Sequence, residues 1–548
     1  MSAIALVGPE IEENLSLRYL AAALQEAGHG AEIVAFNQDA DFGPVLQRIL
    51  EMNPDLVGIS LAFQWKASDY LALAVALRER GYQGHITVGG HFATFAALEL
   101  LGDFPELDSV VRQEAEGTLL DLVELLSRGQ DFHDLDGLAV RDADGVPRKN
   151  ADPRLPDLAR LPWPDRRGEP ASCFGHGIAP LVSSRGCYAN CSFCCIAAWH
   201  EQSLPGKRYR VRDPEEVARE MVALQRERGI DIFVFHDDNF FVPGHKKNRA
   251  RFTALADALE RQGIGPFATV VKARPTDCDP EVFRILKERL NCIRVYIGIE
   301  TDTDQGLDTL QRWSSTKLNR KAIELVRELD LYTCFNMLIF DPDTDLESLD
   351  ANTRFIRWAG EFPSNFGRVE LYAGTPLLSR MLKEGRCRGD YMQWDYSLAS
   401  AEVERVFNLS MQCFHARNFG DGALANRIMA TRFDVEVCRH FHPDRFRAEW
   451  MTRGKDLSRR LATDTADGLE AILEHVRTQP PSADAELVSR LTPGLRATEA
   501  DVFQAARDLA SELLGAVGQG RPLTVLGDRV ATPLQNQRGP SFVEANLV

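Results

Sequence analysis

Three closely spaced cysteines are the residues of this chain best suited to chemistry. Cys187, Cys191 and Cys194 follow the pattern C-x₃-C-x₂-C, and the aromatic Phe193 directly precedes the last thiol. A tight turn can bring three thiolates with this spacing onto one small inorganic core. A cluster of four irons usually takes four cysteine ligands. Three thiolates leave one iron open to a different ligand, which indicates catalysis rather than electron storage.

A zinc site is the simpler alternative, with a fourth ligand drawn from Cys195, Cys173, His176 or His200. Structural zinc motifs usually pair two C-x₂-C-like knuckles, and this sequence has no second knuckle. The cysteines also follow an apolar run, residues 178–182, which predicts a strand at the start of a larger domain. We therefore expect a cluster, with Cys195 as a neighbour of the loop rather than a ligand.

Length and composition restrict the class of protein. A chain of 548 residues is too long for one core, so three or four domains are expected. The formal charge of −17 disfavours a nucleic-acid or anionic-membrane surface. No apolar run is long enough to cross a bilayer, and the N-terminus lacks a basic leader. Eleven cysteines without a signal sequence favour reduced thiols and a cytoplasmic location.

The first 130 residues alternate short apolar strands with amphipathic helical patterns. Five such units predict an open parallel sheet covered by helices on both faces. Ligands of these sheets bind beyond the carboxyl ends of the strands, which here carry Gly8, Ser60 and the pair Gly89-Gly90. The dinucleotide fingerprint is absent after the first strand, and the third strand does not end in a phosphoacceptor aspartate.

Three further regions follow in chain order. Residues 131–175 are rich in Pro, Asp, Gly and Arg and predict an extended linker without regular structure. Residues 176–398 alternate strands and helices and predict a partial barrel of six units, with ligands at the carboxyl ends of its strands. Residues 399–548 are helical in pattern and contain no catalytic motif. Their Cys413, Cys438, His440 and His442 do not have the spacing of an established metal site.

The cysteine loop resembles the cluster-binding loop of the radical S-adenosylmethionine (SAM) enzymes. In that family the open iron binds the amino and carboxylate groups of SAM, and an electron from the cluster produces a 5′-deoxyadenosyl radical. The N-terminal region is similar to the cobalamin-binding domain that precedes the barrel in one large branch of the family, through residues 53–60 and 88–94. The resemblance implies an α/β chain: a cobalamin-binding, Rossmann-like sheet, a (β/α)₆ radical SAM barrel and a helical C-terminal region.

Two departures from that branch concern cobalamin. The motif Asp-x-His-x-x-Gly, whose histidine ligates cobalt from below, is missing after the first strand, where the chain reads Gly8-Pro9-Glu10-Ile11-Glu12. Members of the branch often lack this histidine, and the loop 62–65 would then lie near the lower face of cobalt. The usual Gly-Glu-Gly-Glu after the fifth strand appears as residues 113–117, Gln-Glu-Ala-Glu-Gly. A degenerate domain that binds nothing remains the alternative.

The resemblance also implies roles for individual residues. Phe193 would lie against the adenine of SAM, and Asp237, Asp238 and Glu300, at predicted strand ends, would contact its other parts. The alternative is that any one of these carboxylates only caps the next helix. The residues implied to bind cobalamin are Gly8, Ser60, Gln64, Gly89, Gly90, Thr94 and Gly117. No catalytic residue is assigned.

Four cations of the predicted barrel are candidates for substrate binding. Lys272 and Arg274 end the predicted third strand, Arg294 lies in the fourth, and Arg368 begins the sixth, predicted over residues 368–372. An inward pair could hold an anionic group, for which arginine is suited. The alternative is that they pair with the SAM carboxylate or with protein carboxylates.

The implied activity is that of a cobalamin-dependent radical SAM methyltransferase. SAM would methylate cobalamin, and the methyl group would pass to a radical of a small natural-product substrate, with phosphinate methylation as one specific guess and antibiotic biosynthesis as the context. Reduction would require an electron donor such as flavodoxin or ferredoxin. The nearest rival is a cyclase or ring-rearranging enzyme of the same architecture without net methyl transfer. A methylthiotransferase, a cobalamin sensor and an electron-transfer protein are weaker alternatives.

Overall fold

The computed structural model describes residues 1–202, 208–420 and 422–524. The chain divides into two compact units, each built from three separate segments. The first unit contains Met1–Glu169, Ser184–Asp213 and Glu370–Asp395. The second unit contains Pro170–Ser183, Pro214–Val369 and Tyr396–Val548.

The first unit is built on a seven-stranded sheet with the order β2-β1-β3-β4-β5-β6-β7. The first five strands are parallel, and the last two join in antiparallel pairing. The strands are β1 (Ala3–Gly8), β2 (Gly30–Ala35), β3 (Leu56–Ser60), β4 (His85–Gly89), β5 (Ser109–Val111), β6 (Leu138–Arg141) and β7 (Pro147–Lys149).

Helices cover both faces of this sheet, as expected for a parallel sheet whose strands are apolar on both sides. One buried cluster joins Val57 and Val88 of the sheet to Leu71 of a helix, and the other joins Leu6 to Leu122. The helices are α1 (Leu15–Glu26), α2 (Phe42–Met52), α3 (Ala67–Glu79), α4 (His91–Phe95), α5 (Ala97–Asp103) and α6 (Glu116–Ser127). The predicted doubly covered α/β sheet is confirmed.

The second unit contains another seven-stranded sheet, with the order β16-β15-β14-β13-β12-β9-β8. Six strands run parallel, and β8 pairs antiparallel at the edge. β15, which lies next to the edge strand β16, is buried along its whole length. The strands are β8 (Ala171–Cys173), β9 (His176–Leu181), β12 (Ile230–Phe235), β13 (Ala268–Ala273), β14 (Cys292–Ile297), β15 (Tyr332–Phe340) and β16 (Ser364–Arg368). The six parallel strands confirm the predicted partial barrel.

Helices connect the barrel strands, and several begin at a side-chain cap. Asp279 and Asp345 each accept a hydrogen bond from a backbone N–H of the first turn that follows. These helices are α8 (Pro214–Arg228), α9 (His245–Gln262), α10 (Pro280–Glu288), α11 (Asp304–Thr309), α12 (Thr316–Glu328) and α13 (Leu346–Trp358). Short 3₁₀ turns occur at Asp39–Asp41, Gln64–Lys66, Pro275–Asp277 and Pro481–Ala483.

The C-terminal region forms long helices that pack against both ends of the barrel strands. They are α15 (Ala401–Phe419), α16 (Leu424–Phe441), α17 (Ala448–Thr478) and α18 (Asp484–Val517). Phe433 of α16 shares a buried cluster with Ile232, Ala268 and Tyr332, each in the first half of its strand. Phe407 of α15 lies against Phe340, the last residue of β15, with ring centroids 5.2 Å apart.

Smaller elements complete the first unit. A two-stranded pair, β10 (Ser184–Arg185) and β11 (Arg210–Val211), brackets the cysteine loop in sequence, and α7 (Cys195–Gln202) follows that loop. The later segment contains α14 (Pro376–Lys383) and the strands β17 (Cys387–Asp390) and β18 (Gln393–Tyr396). Among the residues that the structure describes, no helix is both long and apolar enough to cross a membrane.

Two predictions about regular structure were wrong. The stretch predicted as a structureless linker contributes β6 and β7 to the first sheet, where the consecutive residues Leu138, Ala139 and Val140 are all buried. The sixth barrel strand spans Ser364–Arg368 rather than residues 368–372, so Arg368 ends this strand instead of beginning it.

Candidate functional site

The cysteine loop of the first unit brings its thiols together. The backbone N–H of Ala189 donates to Cys187 Sγ at 3.4 Å, and the N–H of Cys194 donates to the carbonyl of Cys191 at 3.2 Å. Burial raises the pKa of the Cys194 thiol, and the neighbouring sulfurs of Cys195, Cys191 and Cys187 raise it further. Three neighbouring cysteine sulfurs fit a cluster that binds them as thiolates. Phe193, between two of these cysteines, is half-buried.

Three of the four residues considered as the fourth ligand of a zinc site contact other side chains. In the second unit Cys173 donates to Asp434 Oδ1 at 3.4 Å, and His176 Nδ1 lies 2.8 Å from Asp231 Oδ2. In the first unit His200 is buried, with its ring edge-on to Trp199. Within the described part of the chain, no group of three or more His, Cys, Asp or Glu side chains is arranged to hold a single metal ion.

A buried ion-pair network connects the start of the cysteine loop to the loop after β5. Arg185 contacts Glu114 Oε2 at 2.7 Å and Glu116 Oε1 at 2.6 Å, and Arg210 also pairs with Glu114. The Arg185 guanidinium lies over the Tyr19 ring at 4.9 Å. The two carboxylates raise the pKa of Arg185 despite its burial. These acidic residues occupy the segment that departs from the usual Gly-Glu-Gly-Glu.

The glycine pair predicted to approach cobalamin is also needed for packing within the sheet. A Cβ on Gly89 would lie 3.1 Å from the carbonyl oxygen of Val111. Gly90 has a φ of +104°, and its Cβ would lie 3.0 Å from the backbone nitrogen of Ala62. Only glycine fits that close approach and that backbone conformation. The sequence pattern alone could not distinguish this packing requirement from a ligand requirement.

The other residues predicted to bind cobalamin lie near the carboxyl ends of the first sheet. Gly8 and Ser60 end β1 and β3, and a Cβ on Gly8 would lie 3.1 Å from Ser60 Cβ. Thr94 Oγ1 accepts from the backbone N–H of Gln113 at 2.9 Å. A Cβ on Gly117 would meet no described atom within 4 Å. Gly117 is exposed in the first turn of α6.

Gln64 has a further contact inside the first unit. Its side chain is buried, and Oε1 accepts from the backbone N–H of Ala373 at 3.1 Å. The loop after β3, predicted to lie near the lower face of cobalt, is thereby joined to a segment more than 300 residues later. The sequence carries no signal for this contact.

The second unit places two adjacent carboxylates after β12 in different environments. Asp237 is buried and accepts from the Ser183 backbone N–H and from the Ser183 hydroxyl, the latter at 2.8 Å. Arg251 donates to the same hydroxyl at 2.6 Å. Asp238 is exposed. The Asp237 contacts match the bracing role that was the alternative to a SAM contact, whereas Asp238 points to solvent-accessible space.

Glu300 follows β14, the fourth parallel strand, and belongs to a network of ion pairs and hydrogen bonds that the sequence did not indicate. Its Oε1 is 3.5 Å from Arg312 Nη2, and Arg312 donates to the Gly298 carbonyl at 2.6 Å. Arg274 donates to the Arg312 carbonyl at 2.5 Å. Burial raises the pKa of Glu300, while Arg312 and Arg274 oppose that rise. A partly compensated carboxylate at a strand end fits contact with a polar ligand.

Two of the remaining candidate cations, Arg294 and Arg368, contact aromatic rings of the second unit. Arg294 lies over the Phe433 ring of α16 at 5.0 Å, in the first half of β14. Arg368 lies over the Tyr396 ring at 3.9 Å and donates to the Tyr396 carbonyl. Lys272 is half-buried in β13, opposite Tyr296 in the register. We therefore do not assign Arg294 or Arg368 to the substrate.

Two regions of the chain match known protein families. The B12 binding domain family matches residues 1–123, and the radical SAM superfamily matches residues 181–352. The hopanoid C-3 methylase of Methylococcus capsulatus is 29% identical over 375 residues, which cover 66% of this chain and 67% of the methylase. The anaerobic magnesium-protoporphyrin IX monomethyl ester cyclase of Synechocystis sp. is 27% identical over 325 residues, covering 57% of this chain and 62% of the cyclase.

A solved structure shares the fold across the chain. It is the cobalamin-dependent S-adenosylmethionine radical enzyme OxsB, with aqua-cobalamin and S-adenosylmethionine bound. The TM-score is 0.66 at 15% identity, and the match covers 98% of this chain and 82% of OxsB. The chain combines a B12-binding domain with a radical SAM domain. These two domains confirm the predicted resemblance to cobalamin-binding radical SAM enzymes, and the predicted cofactor set of cobalamin, SAM and a [4Fe–4S] cluster is confirmed at the level of these domains.

Proposed function

We propose that this protein is a cobalamin-dependent radical SAM methyltransferase that acts on a small molecule. The observation that carries the proposal is the buried ion-pair network of Arg185, Arg210, Glu114 and Glu116. It joins the cysteine loop to the carboxyl edge of the B12-binding sheet within one compact unit. Methyl transfer requires both cofactor sites on one enzyme, and the network holds their loops together.

The residues of the chain have distinct proposed roles. Cys187, Cys191 and Cys194 would hold the cluster, and Gly117 with Ser60 would border the cobalamin. When bound, the cluster, SAM and cobalamin supply reductive SAM cleavage and methyl transfer. Glu300, fixed by Arg312, would bind a polar part of SAM, and Asp238 is the more accessible of the two carboxylates after β12. The protein would position the groups and exclude water.

The experiment is anaerobic reconstitution with iron, sulfide and hydroxocobalamin, followed by a reductant-dependent assay for two products. Methyl transfer predicts 5′-deoxyadenosine together with S-adenosylhomocysteine. Cys191→Ala should abolish 5′-deoxyadenosine formation, whereas Cys195→Ala, which changes a cysteine outside the three-thiolate set, should retain it. Wild-type protein that forms neither product would refute the proposal.

A cyclase activity without net methyl transfer is the second candidate. The 27% identical cyclase of Synechocystis sp. favours it, because that relative matches more than half of the present chain. The same assay separates the two functions. A cyclase predicts 5′-deoxyadenosine without S-adenosylhomocysteine, and no label would reach product from methyl-labelled SAM.

A further inference from the structure

A carboxylate and a tyrosine form a close pair in the segment that follows β16. Tyr372 Oη donates to Glu370 Oε2 at 2.6 Å. Both side chains are half-buried, so protein surrounds most of the pair while a small opening remains. The sequence did not indicate this pair, because residues 368–372 were predicted to form the sixth strand. In the structure that strand ends at Arg368, and the pair follows its carboxyl end.

The segment that carries the pair is held between two loops of the first unit. Ala373 donates to Gln64 in the loop after β3, at 3.1 Å. Leu377 donates through its backbone N–H to the carbonyl of Ser192, inside the cysteine loop, at 2.8 Å. Gly374, with a φ of +77°, packs so closely on Phe95 that a Cβ would overlap the ring. The segment therefore links the B12-binding edge to the cysteine loop.

Glu370 differs from the other buried carboxylates of the first unit. Glu114 and Glu116 are paired with arginines, whereas no arginine or lysine of the described residues forms an ion pair with Glu370. Burial raises the pKa of Glu370 to about 7, and the Tyr372 hydroxyl opposes that rise. A half-open carboxylate without a protein cation has room to accept a hydrogen bond from a ligand.

We propose that Glu370, held in place by Tyr372, accepts a hydrogen bond from the substrate. The substrate would then present a hydroxyl, an amide or a protonated amine to this segment rather than an anionic group. This inference rests on the proposed function, since it requires the substrate to lie between the loops of the two cofactor sites. It differs from the earlier expectation of an anionic substrate, for which two of the four candidate ligands, Arg294 and Arg368, contact the rings of Phe433 and Tyr396.

The test measures binding of small probes to the full-length protein loaded with cluster and hydroxocobalamin. Saturation-transfer NMR compares two donor probes, ethanolamine and acetamide, with the anion methylphosphinate at equal concentration. The wild type should bind at least one donor probe more tightly than methylphosphinate. Glu370→Gln should weaken that binding about tenfold, because the amide oxygen of Gln is a neutral and therefore weaker acceptor than the carboxylate. Tyr372→Phe should weaken it less.

The control is a second carboxylate–tyrosine pair in the same unit. Tyr391 Oη donates to Asp103 Oδ2 at 2.7 Å, so Asp103→Asn removes a similar interaction elsewhere. It should leave probe binding unchanged, and cobalamin content should be equal in all variants. The inference is overturned if no donor probe binds, if Glu370→Gln binds the probes as the wild type does, or if methylphosphinate binds best. The same preparations are assayed for 5′-deoxyadenosine, so failure of SAM cleavage is recognised separately as failure of the proposed function.

Discussion

Replacing Arg185 by methionine tests the connection between the cysteine loop and the B12-binding sheet. The side chains of Arg185, Glu114 and Glu116 are 14%, 3% and 7% exposed, so this is a buried network. Removing one partner of a buried ion pair costs about 3–5 kcal/mol, because the other charge stays buried without compensation. Arg210 still pairs with Glu114 in the variant, which places the expected loss near the lower limit, about 3 kcal/mol.

The assay is urea unfolding at low ionic strength, since guanidinium ions would screen the charges. Fluorescence and circular dichroism should be followed together, because a chain with two compact units can unfold in more than one step. Iron retained per chain after reconstitution provides a second readout, and Arg185→Met should retain less than the wild type. Arg185→Lys should be intermediate, because lysine keeps the charge but cannot form both fixed contacts.

The matched control is Arg148, whose pair with Asp134 is exposed in the same unit, at 40% and 90%. Arg148→Met should cost about 0–1 kcal/mol. The reasoning is refuted if Arg185→Met and Arg148→Met lose equal stability and retain equal iron.

Two other predictions concern Gly298 and Asp434 of the second unit, and Gly102 of the first unit is the control for Gly298. A Cβ on Gly298 would lie 2.8 Å from Arg312 Nη2 and 2.9 Å from Glu300 Oε1; Gly298→Ala should therefore cost about 1–3 kcal/mol in urea unfolding and weaken SAM binding in equilibrium dialysis. Gly102→Ala, at a helical position with no described atom within 4 Å of the new Cβ, should instead stabilise by up to about 1 kcal/mol; similar losses in both variants would contradict the steric argument. Burial raises the pKa of Asp434 from 3.8 to about 6, so its contribution to stability is greatest at low pH and is lost as the pH rises through about 6. The stability of the wild type relative to Asp434→Asn should accordingly fall by about 1 kcal/mol between pH 5 and pH 8, and a pH-independent difference would show that Asp434 does not titrate in this way.

Local patterns predicted most of the architecture. The alternation of apolar strands and amphipathic helices indicated both sheets, because each strand is short, buried and bounded by a helix start or a glycine. The cysteine spacing indicated the cluster loop for a similar reason, since all three residues lie within one turn-rich segment. The error at the sixth strand has a local cause. The residues 364–368, Ser-Asn-Phe-Gly-Arg, are less apolar than the residues 369–372 that follow, although the former form the strand.

The contacts that join distant segments could not be predicted from these patterns. Arg185 pairs with residues about 70 positions earlier, and Gln64 binds Ala373 across 309 positions. Charge alone does not identify such partners, because the chain contains 63 Lys and Arg and 80 Asp and Glu residues. The ion pair of Arg312 with Glu300 could not be predicted for the same reason. Glu300 has a positive φ, and its side chain and that of Arg312 both lie close to Gly298. A local sequence pattern does not indicate this backbone conformation.

The most direct test of the central claim is Mössbauer spectroscopy of the protein reconstituted with ⁵⁷Fe, recorded with and without SAM. Three cysteine ligands predict about four irons per chain, one of which changes its signal when SAM is added because it has a free coordination position. A spectrum that SAM leaves unchanged, or a purified protein that holds zinc in place of iron, would contradict the account.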